Sequence, residues 1–486
     1  MTKKPSTFPE DFLFGAATAS YQIEGGAHEG GRGTSIWDTF CATPGMVTNG
    51  DNGDVACDHF HRWEEDVDMM VEMGLQAYRF SIAWPRVQPT GTGEFNEEGI
   101  AFYRNLIARL KKEGIKPLIT LYHWDLPQEL QDKGGWVNRE IVDDFVTYAV
   151  RMYEEFADDV DMWVTFNEPW VASFVGYGAG AHAPGHTDPV EALTAAHHLN
   201  LAHARAYRAM KAINDAPQIG YVNNCHTPRP WDPSNPKDLA ASAHIDALAN
   251  TMFHQPFIQG GYPEVLRPNT AQLTDWGFVH DGDEDEMKGA VDWFGVNYYA
   301  SHLVRHNPNK GKAESDVATL ADGHKAGAGT AWPGDEEIEF MPPVGELTAM
   351  GWNVDPSALT AHILKIHRET GKPIYVTENG SAWDDVVDED GRVRDINRTR
   401  YAHGHIGAVL DAIHEGADVR GYMAWSLMDN FEWAQGYNKR FGIVRVDYDT
   451  LERRWKDSAY WYVELLRRRS LPPVDADLAP TPPRTF

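Results

Sequence analysis

The sequence predicts an α/β fold, a single (β/α)8 TIM barrel with long βα loops over its C-terminal face. Eight short runs of apolar, β-branched and aromatic residues alternate with segments whose apolar positions follow the helical period. The composition does not change between these units, so nothing marks a second domain. Most of the runs end in a polar residue, and barrels place their functional side chains at the carboxyl ends of the strands.

The predicted strands are recognised by their apolar runs and by the residues that close them. The run 373–380 is the clearest, because its first half is apolar and β-branched, as in a strand buried on both faces of a parallel sheet. The first predicted strand, 12–25, ends in the polar Gln22. The remaining strands are predicted over 76–82, 116–122, 161–168, 219–222, 291–299 and 421–429.

In the segments between the predicted strands, the apolar residues follow the helical period. The strongest amphipathic segment follows Asn138, its predicted N-cap, and carries Ile141, Phe145 and Met152 on one stripe. Two earlier helices are each closed by a glycine, as is common at helix ends. The helices are predicted over 62–73, 97–113, 138–156, 189–214, 237–254, 355–370, 396–415 and 456–469.

Two segments lack a regular period. Residues 303–341 are rich in Gly, Asp, Glu and Lys, and we interpret them as a long loop over the barrel mouth. The Pro-rich stretch 472–486 is interpreted as an extended or disordered C-terminal tail. The predicted division is a (β/α)8 catalytic barrel over 1–471 followed by the tail over 472–486.

Composition excludes several kinds of partner. The net charge of −29 would repel the phosphates of nucleic acids and of anionic membranes. Cys41, Cys57 and Cys225 form neither a CxxC motif nor an even set for disulfides, which suits reduced thiols. No secretory signal or long apolar stretch is visible, so we expect a soluble, cytoplasmic protein. A homo-oligomer is compatible with the sequence, which does not decide the oligomeric state.

Two glutamates each lie at the end of a predicted strand. Glu168 ends the predicted strand 161–168, and Glu378 ends the predicted strand 373–380. Because a barrel gathers its strand ends at one face, both carboxyl groups are expected in one mouth. Arg79 lies inside another predicted strand and needs an acidic partner when buried, for which Glu378 is the candidate.

Amide, imidazole, carboxyl and indole groups accumulate at the same strand ends. Sugars need this combination, because their hydroxyls require donors and acceptors while their C–H faces stack on flat rings. Two glutamates in such a mouth indicate glycoside hydrolysis, in which one carboxyl group protonates the leaving oxygen and the other attacks or activates water. The further candidate residues are Gln22, His123, Asn167, Asn297, Tyr299, Trp425, Glu432 and Trp433.

Four runs carry a family resemblance: YQIEG at 21–25, TFNEP at 165–169, VTENG at 376–380 and WSLMDNFEW at 425–433. In this order, and spanning nearly the whole chain, they make the sequence resemble glycoside hydrolase family 1, the β-glucosidase family. The resemblance implies a retaining exo-β-glycosidase that hydrolyses terminal non-reducing β-D-glucosyl residues through a covalent glycosyl-enzyme. It also implies small-molecule β-glucosides or cello-oligosaccharides as substrates and no metal or other cofactor.

The resemblance gives the two glutamates different roles. Glu168 would be the general acid and then the base, and Glu378 the nucleophile. An attacking carboxylate must be ionised, which Arg79 and the Tyr299 hydroxyl would favour. A proton donor must stay protonated, which an aromatic wall would promote. The candidates for that wall are Trp163, Phe166 and Trp170.

The other site residues are assigned from the same resemblance. Trp425 would be the stacking floor for the sugar ring, and Trp352 would line the aglycone side. Asn297 and Tyr299 would support the reacting centre. Hydrogen bonds to the glycone hydroxyls would come from Gln22, His123, Asn167, Glu432 and Trp433.

Glu432 bears on the charge of the substrate. Family members that act on 6-phosphorylated sugars resemble one another in having serine at this position and tyrosine at the position of Phe441. A glutamate would repel a phosphate group, so we expect a neutral glycone.

Several alternatives stay open at this stage. A β-galactosidase, a β-fucosidase or a transglycosylase of the same family would differ only by small shifts in shared residues. A catalytically silent sugar-binding barrel would be expected to lose Glu168 or Glu378, and both are present. Individual side chains could instead be structural, as ion-pair partners, helix caps or packed core groups. This applies to Glu168, Glu378, His123, Asn297 and Trp352.

A metal-dependent barrel hydrolase is a third alternative. His59 and His61 form an His-x-His motif, which binds metal in some barrels when it ends the first strand. Here the motif precedes a predicted helix, so we expect no metal site.

Overall fold

Eight parallel strands form a closed barrel, as the sequence predicts. The protein is described by a computed structural model that covers residues 7–310, 329–475, 478 and 484–486. Neighbouring barrel strands follow one another in chain order, and β1 pairs with both β2 and β8 to close the ring. The strands are β1 Leu13–Ala17, β2 Ala77–Ser81, β3 Lys116–Tyr122, β4 Met162–Asn167, β5 Gln218–Asn224, β6 Trp293–Tyr298, β7 Ile374–Asn379 and β8 Val419–Trp425.

A helix of twelve or more residues follows each barrel strand, which confirms the (β/α)8 prediction. These helices are His59–Met73, Glu97–Lys112, Ile141–Phe156, Pro189–Ile213, Pro236–Ala249, Pro356–Thr370, Ile396–His414 and Asp457–Arg468. Shorter helical segments lie in the connections. They are Ser20–Ile23, Ile36–Ala42, Thr48–Gly50, Trp84–Val87, Gln128–Gln131, Gly135–Val137, Val171–Ala179, Thr251–Phe253, Gln255–Ile258, Leu266–Asn269, Asp283–Met287 and Trp433–Gln435.

Apolar side chains fill both sides of the barrel sheet. Outside it, the buried stripes of the helices pack on the strands in one large cluster. A second cluster includes Leu118, Val164, Val222 and Met423, and it extends to Trp425 at the end of β8. Burying each aliphatic side chain of this size stabilises the folded protein by about 1.5–3 kcal/mol. The strand ends are therefore supported by a tightly packed core.

The predicted end of the first strand and the predicted start of the helix after Asn138 are wrong. Strand β1 ends at Ala17, and Gln22 lies in the short helix Ser20–Ile23 instead of at a strand end. The chain turns there because the Gln22 backbone N–H donates to the Ala19 carbonyl. Asn138 is not an N-cap: the helix begins at Ile141, and the Asn138 side chain accepts from the Glu140 N–H in the preceding turn.

Residues 303–341 are not only a loop. His302–His306 pairs antiparallel with Ile338–Phe340 and parallel with Pro228–Pro230, which makes a three-stranded sheet beside the barrel. These strands are short and half-buried, so they carry no apolar period that a sequence could reveal. The part of the predicted loop over 311–328 lies outside the described residues.

The chain end returns to the body of the protein. Arg453–Trp455 pairs with Val444–Val446 in a hairpin, and Phe486 exchanges backbone hydrogen bonds with Arg453 on its other side. For the rest of the predicted tail, residues 476, 477 and 479–483 lie outside the described residues. Among the helices that are described, none combines the length and the apolar character needed to cross a membrane.

Gly380 allows the ends of β7 and β8 to meet. A Cβ atom at this position would lie 1.6 Å from the Trp425 carbonyl oxygen, a backbone atom that cannot rotate away. The absence of a side chain at Gly380 is therefore what lets the end of β7, with Glu378, lie against the end of β8.

We expect Gly380→Ala to destabilise the protein by about 3 kcal/mol or more, because overpacking against backbone forces the strands apart. Gly407→Ala is the matched control, since its Cβ would meet only the Leu471 side chain at 3.4 Å inside a helix. Replacing this helical glycine should stabilise by roughly 0.5–1 kcal/mol. Urea unfolding of both variants measures the difference, and equal stabilities would contradict the packing argument.

Candidate active site

A cavity of about 560 Å³ opens where the barrel strands end. Glu168 and Glu378 both line it, as predicted from their places in the sequence, and both are at least 95% buried. The other predicted residues that line it are His123, Asn297, Tyr299, Trp352, Trp425, Glu432 and Trp433. Gln22, Arg79 and Asn167 are fully buried and are not part of its lining.

Glu378 lies on β7 between a cation and a hydroxyl. Arg79 Nη1 donates to Oε1 at 2.5 Å, and the Tyr299 hydroxyl donates to Oε2 at 2.7 Å. Burial raises the pKa of Glu378 above its usual value, while Arg79 and Tyr299 oppose this shift by stabilising the carboxylate. Both carboxylate oxygens therefore have a donor, and the Arg79 partner predicted from the sequence is Glu378.

Glu168 follows β4 in a left-handed backbone conformation, with φ of 48°. Asn297 Nδ2 donates to its Oε1 at 2.7 Å. The same Nδ2 donates to Asn167 Oδ1 at 3.0 Å, and Thr377 Oγ1 donates to Asn297 Oδ1 at 2.7 Å. The Asn297 amide thus orients the Glu168 carboxyl group and is itself held by the strand that carries Glu378.

Irregular strand pairing occurs at both glutamates. The register between β6 and β7 shifts between Val376 and Glu378, and that between β4 and β5 shifts between Val164 and Asn167. Such bulges re-aim side chains that a regular strand would direct elsewhere. Here they occur where the strands deliver Asn167, Glu168 and Glu378 to the cavity.

Asn167 connects Arg79 to His123. Its Oδ1 accepts from Arg79 Nη2 at 2.6 Å, and its Nδ2 lies 3.1 Å from His123 Nε2. Burial, together with the nearby Arg79 charge, holds the pKa of His123 well below its usual value, so the imidazole is neutral. His123 Nε2 accepts from the amide, which leaves the ring proton on Nδ1, an atom with no hydrogen-bond partner among the described residues.

Aromatic rings build the wall beside His123. The His123 ring stacks at 6.0 Å from the Trp425 ring and at 5.9 Å from the Trp433 ring. Gln22 lies behind this wall, where its Nε2 donates to Asn430 Oδ1 at 2.9 Å and to the Phe431 carbonyl at 2.7 Å. Its Oε1 has no partner within the described part of the chain.

Trp352 lines the cavity beside Tyr299 and Phe441. Its ring lies 5.3 Å from the Tyr299 ring and 6.0 Å from the Phe441 ring. Trp352 therefore packs directly on the residue that hydrogen-bonds Glu378.

The cavity residues that were not assigned to the site from the sequence are Trp124, Val171, Asn224, Cys225, His226, Ala300 and Phe441. Strand β5 was predicted to end at Val222, but it continues to Asn224. The rule that functional residues follow strand ends would have found Asn224, Cys225 and His226 had the strand end been placed correctly. Trp124 follows the predicted His123, and no separate signal identifies it.

The His-x-His motif does not form a shared site. His59 Nδ1 lies 2.7 Å from Asp66 Oδ2, whereas His61 Nδ1 lies 2.6 Å from Asp58 Oδ1. Within the ranges that the structure describes, no group of three His, Cys, Asp or Glu side chains is arranged to hold a metal ion.

A (β/α)8 barrel whose mouth holds two buried glutamates, amides and indoles defines a glycosidase, an enzyme that hydrolyses O-glycosyl bonds. The profile of glycosyl hydrolase family 1 matches residues 4–471, and the chain belongs to this family.

Relatives with known names agree with this assignment. The chain is 44% identical to beta-glucosidase A from Thermotoga maritima, covering 96% of this chain and 98% of that protein. It is also 44% identical to a bifunctional beta-D-glucosidase/beta-D-fucosidase from Bifidobacterium breve, covering 94% and 97%. A solved family 1 β-glucosidase structure from Thermotoga maritima superposes with a TM-score of 0.89 at 43% identity, covering 97% of this chain and 100% of that one.

Proposed function

We propose that the protein is a retaining β-glucosidase that removes terminal non-reducing β-D-glucosyl residues from small β-glucosides or cello-oligosaccharides. The observation that carries this proposal is the different surroundings of the two glutamates in one cavity. Glu378 is bound by a guanidinium and a hydroxyl, whereas a neutral amide donates to Glu168. One group is thus equipped to remain a carboxylate and the other to carry a proton.

The first chemical step breaks the glycosidic bond. Glu378 attacks the anomeric carbon and forms an ester with the glycosyl group, while Glu168 gives its proton to the departing oxygen. As the carboxylate of Glu378 loses its charge, Arg79 keeps its hydrogen bonds to Asn167, Thr120 and the Thr377 carbonyl. In the second step Glu168, now ionised, removes a proton from water, and the water attacks the same carbon and releases Glu378.

The glycone is proposed to bind between the aromatic wall and the polar groups of the cavity. His123 can donate from Nδ1, and Glu432 lies in the cavity with about 6% of its surface exposed. Trp425 would stack on the C–H face of the sugar, with Trp433 beside it. A negative charge at Glu432 disfavours a phosphorylated sugar, so the proposed glycone is neutral.

A second glycone is supported by one comparison. The Bifidobacterium breve relative is named for both β-glucosidase and β-fucosidase activity. We therefore propose β-fucosides as the second substrate class, ahead of β-galactosides, and transglycosylation as the alternative fate of the glycosyl-enzyme.

We further propose the cytoplasm as the place of action, since the three cysteines are free and buried. Residues 1–471 are proposed as the catalytic unit and residues 472–486 as an appendage to it. A homo-oligomer is compatible with this proposal, which requires only small-molecule substrates.

Glu378→Gln should nearly abolish hydrolysis, because the amide cannot form the glycosyl ester. Release of nitrophenol from an aryl β-glucoside measures the loss, with a chelator present to remove any metal contribution. Glu415→Gln, at an exposed helix end, is the matched control. For the wild-type enzyme, the sugar first released should have the β configuration by NMR. Substantial turnover by Glu378→Gln, or a first product in the α configuration, would contradict the proposed nucleophile.

Glu168→Ala should reduce the hydrolysis of alkyl glucosides far more than that of nitrophenyl glucosides. An alkoxide needs a proton to leave, and acid catalysis of this kind is worth roughly 10²–10⁴-fold. Values of kcat/KM for both substrates measure the difference. An equal loss on the two would show that Glu168 does not protonate the leaving group.

Tyr299→Phe should move the acidic limb of the kcat/KM profile to higher pH. The lost hydroxyl donates to the ionised Glu378, so the pKa of that carboxyl group rises in the variant and a higher pH is needed to ionise it. Tyr298→Phe is the control, because its hydroxyl donates to the Asp355 carbonyl and not to a carboxylate. An unmoved acidic limb in Tyr299→Phe would contradict this role.

A further inference from the structure

A separate cavity of about 220 Å³ is lined by charged and hydroxyl side chains that the proposed reaction does not use. Its lining, here called the Asp125 cavity, adjoins two proposed glycone-binding residues in the chain. Ser20 and Tyr21 precede Gln22, and Asp125 follows His123 by two positions. A contact between the lining residues can therefore act on both glycone-binding residues. The polar side chains of the lining are those of Ser20, Tyr21, Glu24, Arg32, Arg86 and Asp125.

The Asp125 carboxyl group connects the ends of three barrel strands. Ser20 Oγ donates to Asp125 Oδ2 at 2.7 Å, and Ser81 Oγ donates to Ser20 Oγ at 2.9 Å. The Ser20 N–H donates to Ser81 Oγ at 2.7 Å. Ser20 begins the short helix after β1 that carries Gln22, and Ser81 is the last residue of β2. Asp125 lies after β3 together with His123, so its bond to Ser20 joins the segments that carry the two glycone-binding residues.

The turn after β3 is held by contacts on both sides of Trp124. This residue has a left-handed backbone, with φ of 76°, which a bulky residue rarely adopts. On one side, Asn167 Nδ2 lies 3.1 Å from His123 Nε2, and the Trp124 Nε1–H donates to the Asn167 carbonyl at 2.9 Å. On the other side, Asp125 accepts from Ser20. Loss of that bond would remove one of the contacts that hold the strained turn in place.

Asp125 is fully buried, and the arginines of the cavity are bound to other carboxylates. Arg86 forms an ion pair with Glu24 at 2.9 Å, and Arg32 forms one with Asp38 at 2.9 Å. Burial therefore raises the pKa of Asp125 to about 7. A proton on Oδ1 would leave Oδ2 able to accept the serine hydrogen bond. The link between the two segments thus requires an acceptor at this position and not a charge.

Gln22 and His123 offer complementary atoms to a ligand. Gln22 Oε1 is an acceptor and His123 Nδ1 is a donor, and neither has a hydrogen-bond partner among the described residues. One sugar hydroxyl can donate to the first and accept from the second, because a hydroxyl group does both. Such a two-sided contact forms only when the two side chains are held at the right separation.

We propose that Asp125 is a positioning residue for the glycone, which holds Gln22 and His123 at the separation at which both bind one sugar hydroxyl. Asp125 does not line the catalytic cavity, so it acts through these two residues and through its bond to Ser20. The inference rests on the proposed function, because it concerns the glycone of that same site.

Nitrophenyl β-glucosides that each lack one hydroxyl group test the proposal. Asp125→Ala should lower kcat/KM for the complete glucoside by about 10- to 100-fold, because a misplacement of about 1 Å can cost roughly that much. Gln22→Ala identifies the hydroxyl that Gln22 binds, since the sugar without this hydroxyl is insensitive to the variant. Asp125→Ala should have its smallest effect, below about threefold, on this same deoxy sugar. Release of nitrophenol measures each value.

Three further variants separate positioning from a general loss of structure. Asp125→Asn keeps an acceptor for Ser20 and should stay within about threefold of the wild type. Ser20→Ala removes the same bond from its other end, so the double variant with Asp125→Ala should lose no more than Asp125→Ala alone. Ser458→Ala is the matched control, because this buried hydroxyl donates to the buried Asp395 at 2.5 Å and neither residue lines the catalytic cavity. It should leave kcat/KM unchanged for every sugar.

Four results would overturn the proposal. The first is an equal loss by Asp125→Ala on all the sugars, and the second is a Gln22→Ala loss that no single hydroxyl explains. The third is a smallest effect of Asp125→Ala on a different deoxy sugar from that of Gln22→Ala. The fourth is an Asp125→Asn variant as impaired as Asp125→Ala.

Hydrolysis of nitrophenyl β-glucoside by the wild-type enzyme is measured first, because its absence would count against the proposed function alone. In that case, crystal structures of the wild type and of Ser20→Ala decide whether the link positions the two residues. The separation of Gln22 and His123 should change by about 1 Å in the variant. An unchanged separation would contradict the role of Asp125.

Discussion

The site depends on the buried ion pair between Arg79 and Glu378. Arg79 has no exposed surface, and a guanidinium in that position is stable only with an anionic partner and with its other N–H groups bonded. It therefore links three barrel strands, through Glu378 on β7, Asn167 on β4 and Thr120 on β3. Removing one partner of such a pair typically costs about 3–5 kcal/mol, so the charge of Glu378, the proposed nucleophile, is also part of what holds the barrel mouth together.

This ion pair also gives the two glutamates different electrostatic surroundings. Two carboxylates in one buried cavity would raise each other's pKa values, and one of them must be neutralised. Arg79 neutralises the charge of Glu378, while Asn297 gives Glu168 a hydrogen bond without a charge. The two glutamates have different neighbours because they lie at the ends of two different strands, β4 and β7. A bulge in each strand directs the side chain towards the cavity.

Most of the fold and the central site could be predicted from the sequence because they follow from periodic patterns. The eight buried strands show as apolar runs, and Glu168 and Glu378 stand out as charges at their ends. Gln22 was assigned to a strand end because the small residues before it continue the apolar run, and a single helical turn leaves no periodic signal.

Asn224, Cys225 and His226 were missed because β5 was ended two residues early. The small sheet beside the barrel was missed for a related reason, since its strands are short and half-buried and satisfy their backbone groups by pairing instead of by burying an apolar face.

The polar and the aromatic residues of the catalytic cavity support each other. Directional hydrogen bonds, of the kind that sugar hydroxyls form, require donors and acceptors held in place, and here the buried polar side chains are fixed by ion pairs and amide contacts. Trp352 packs on Tyr299, and the Tyr299 hydroxyl donates to Glu378. A change at Trp352 can therefore reach Glu378, because Tyr299 contacts both residues.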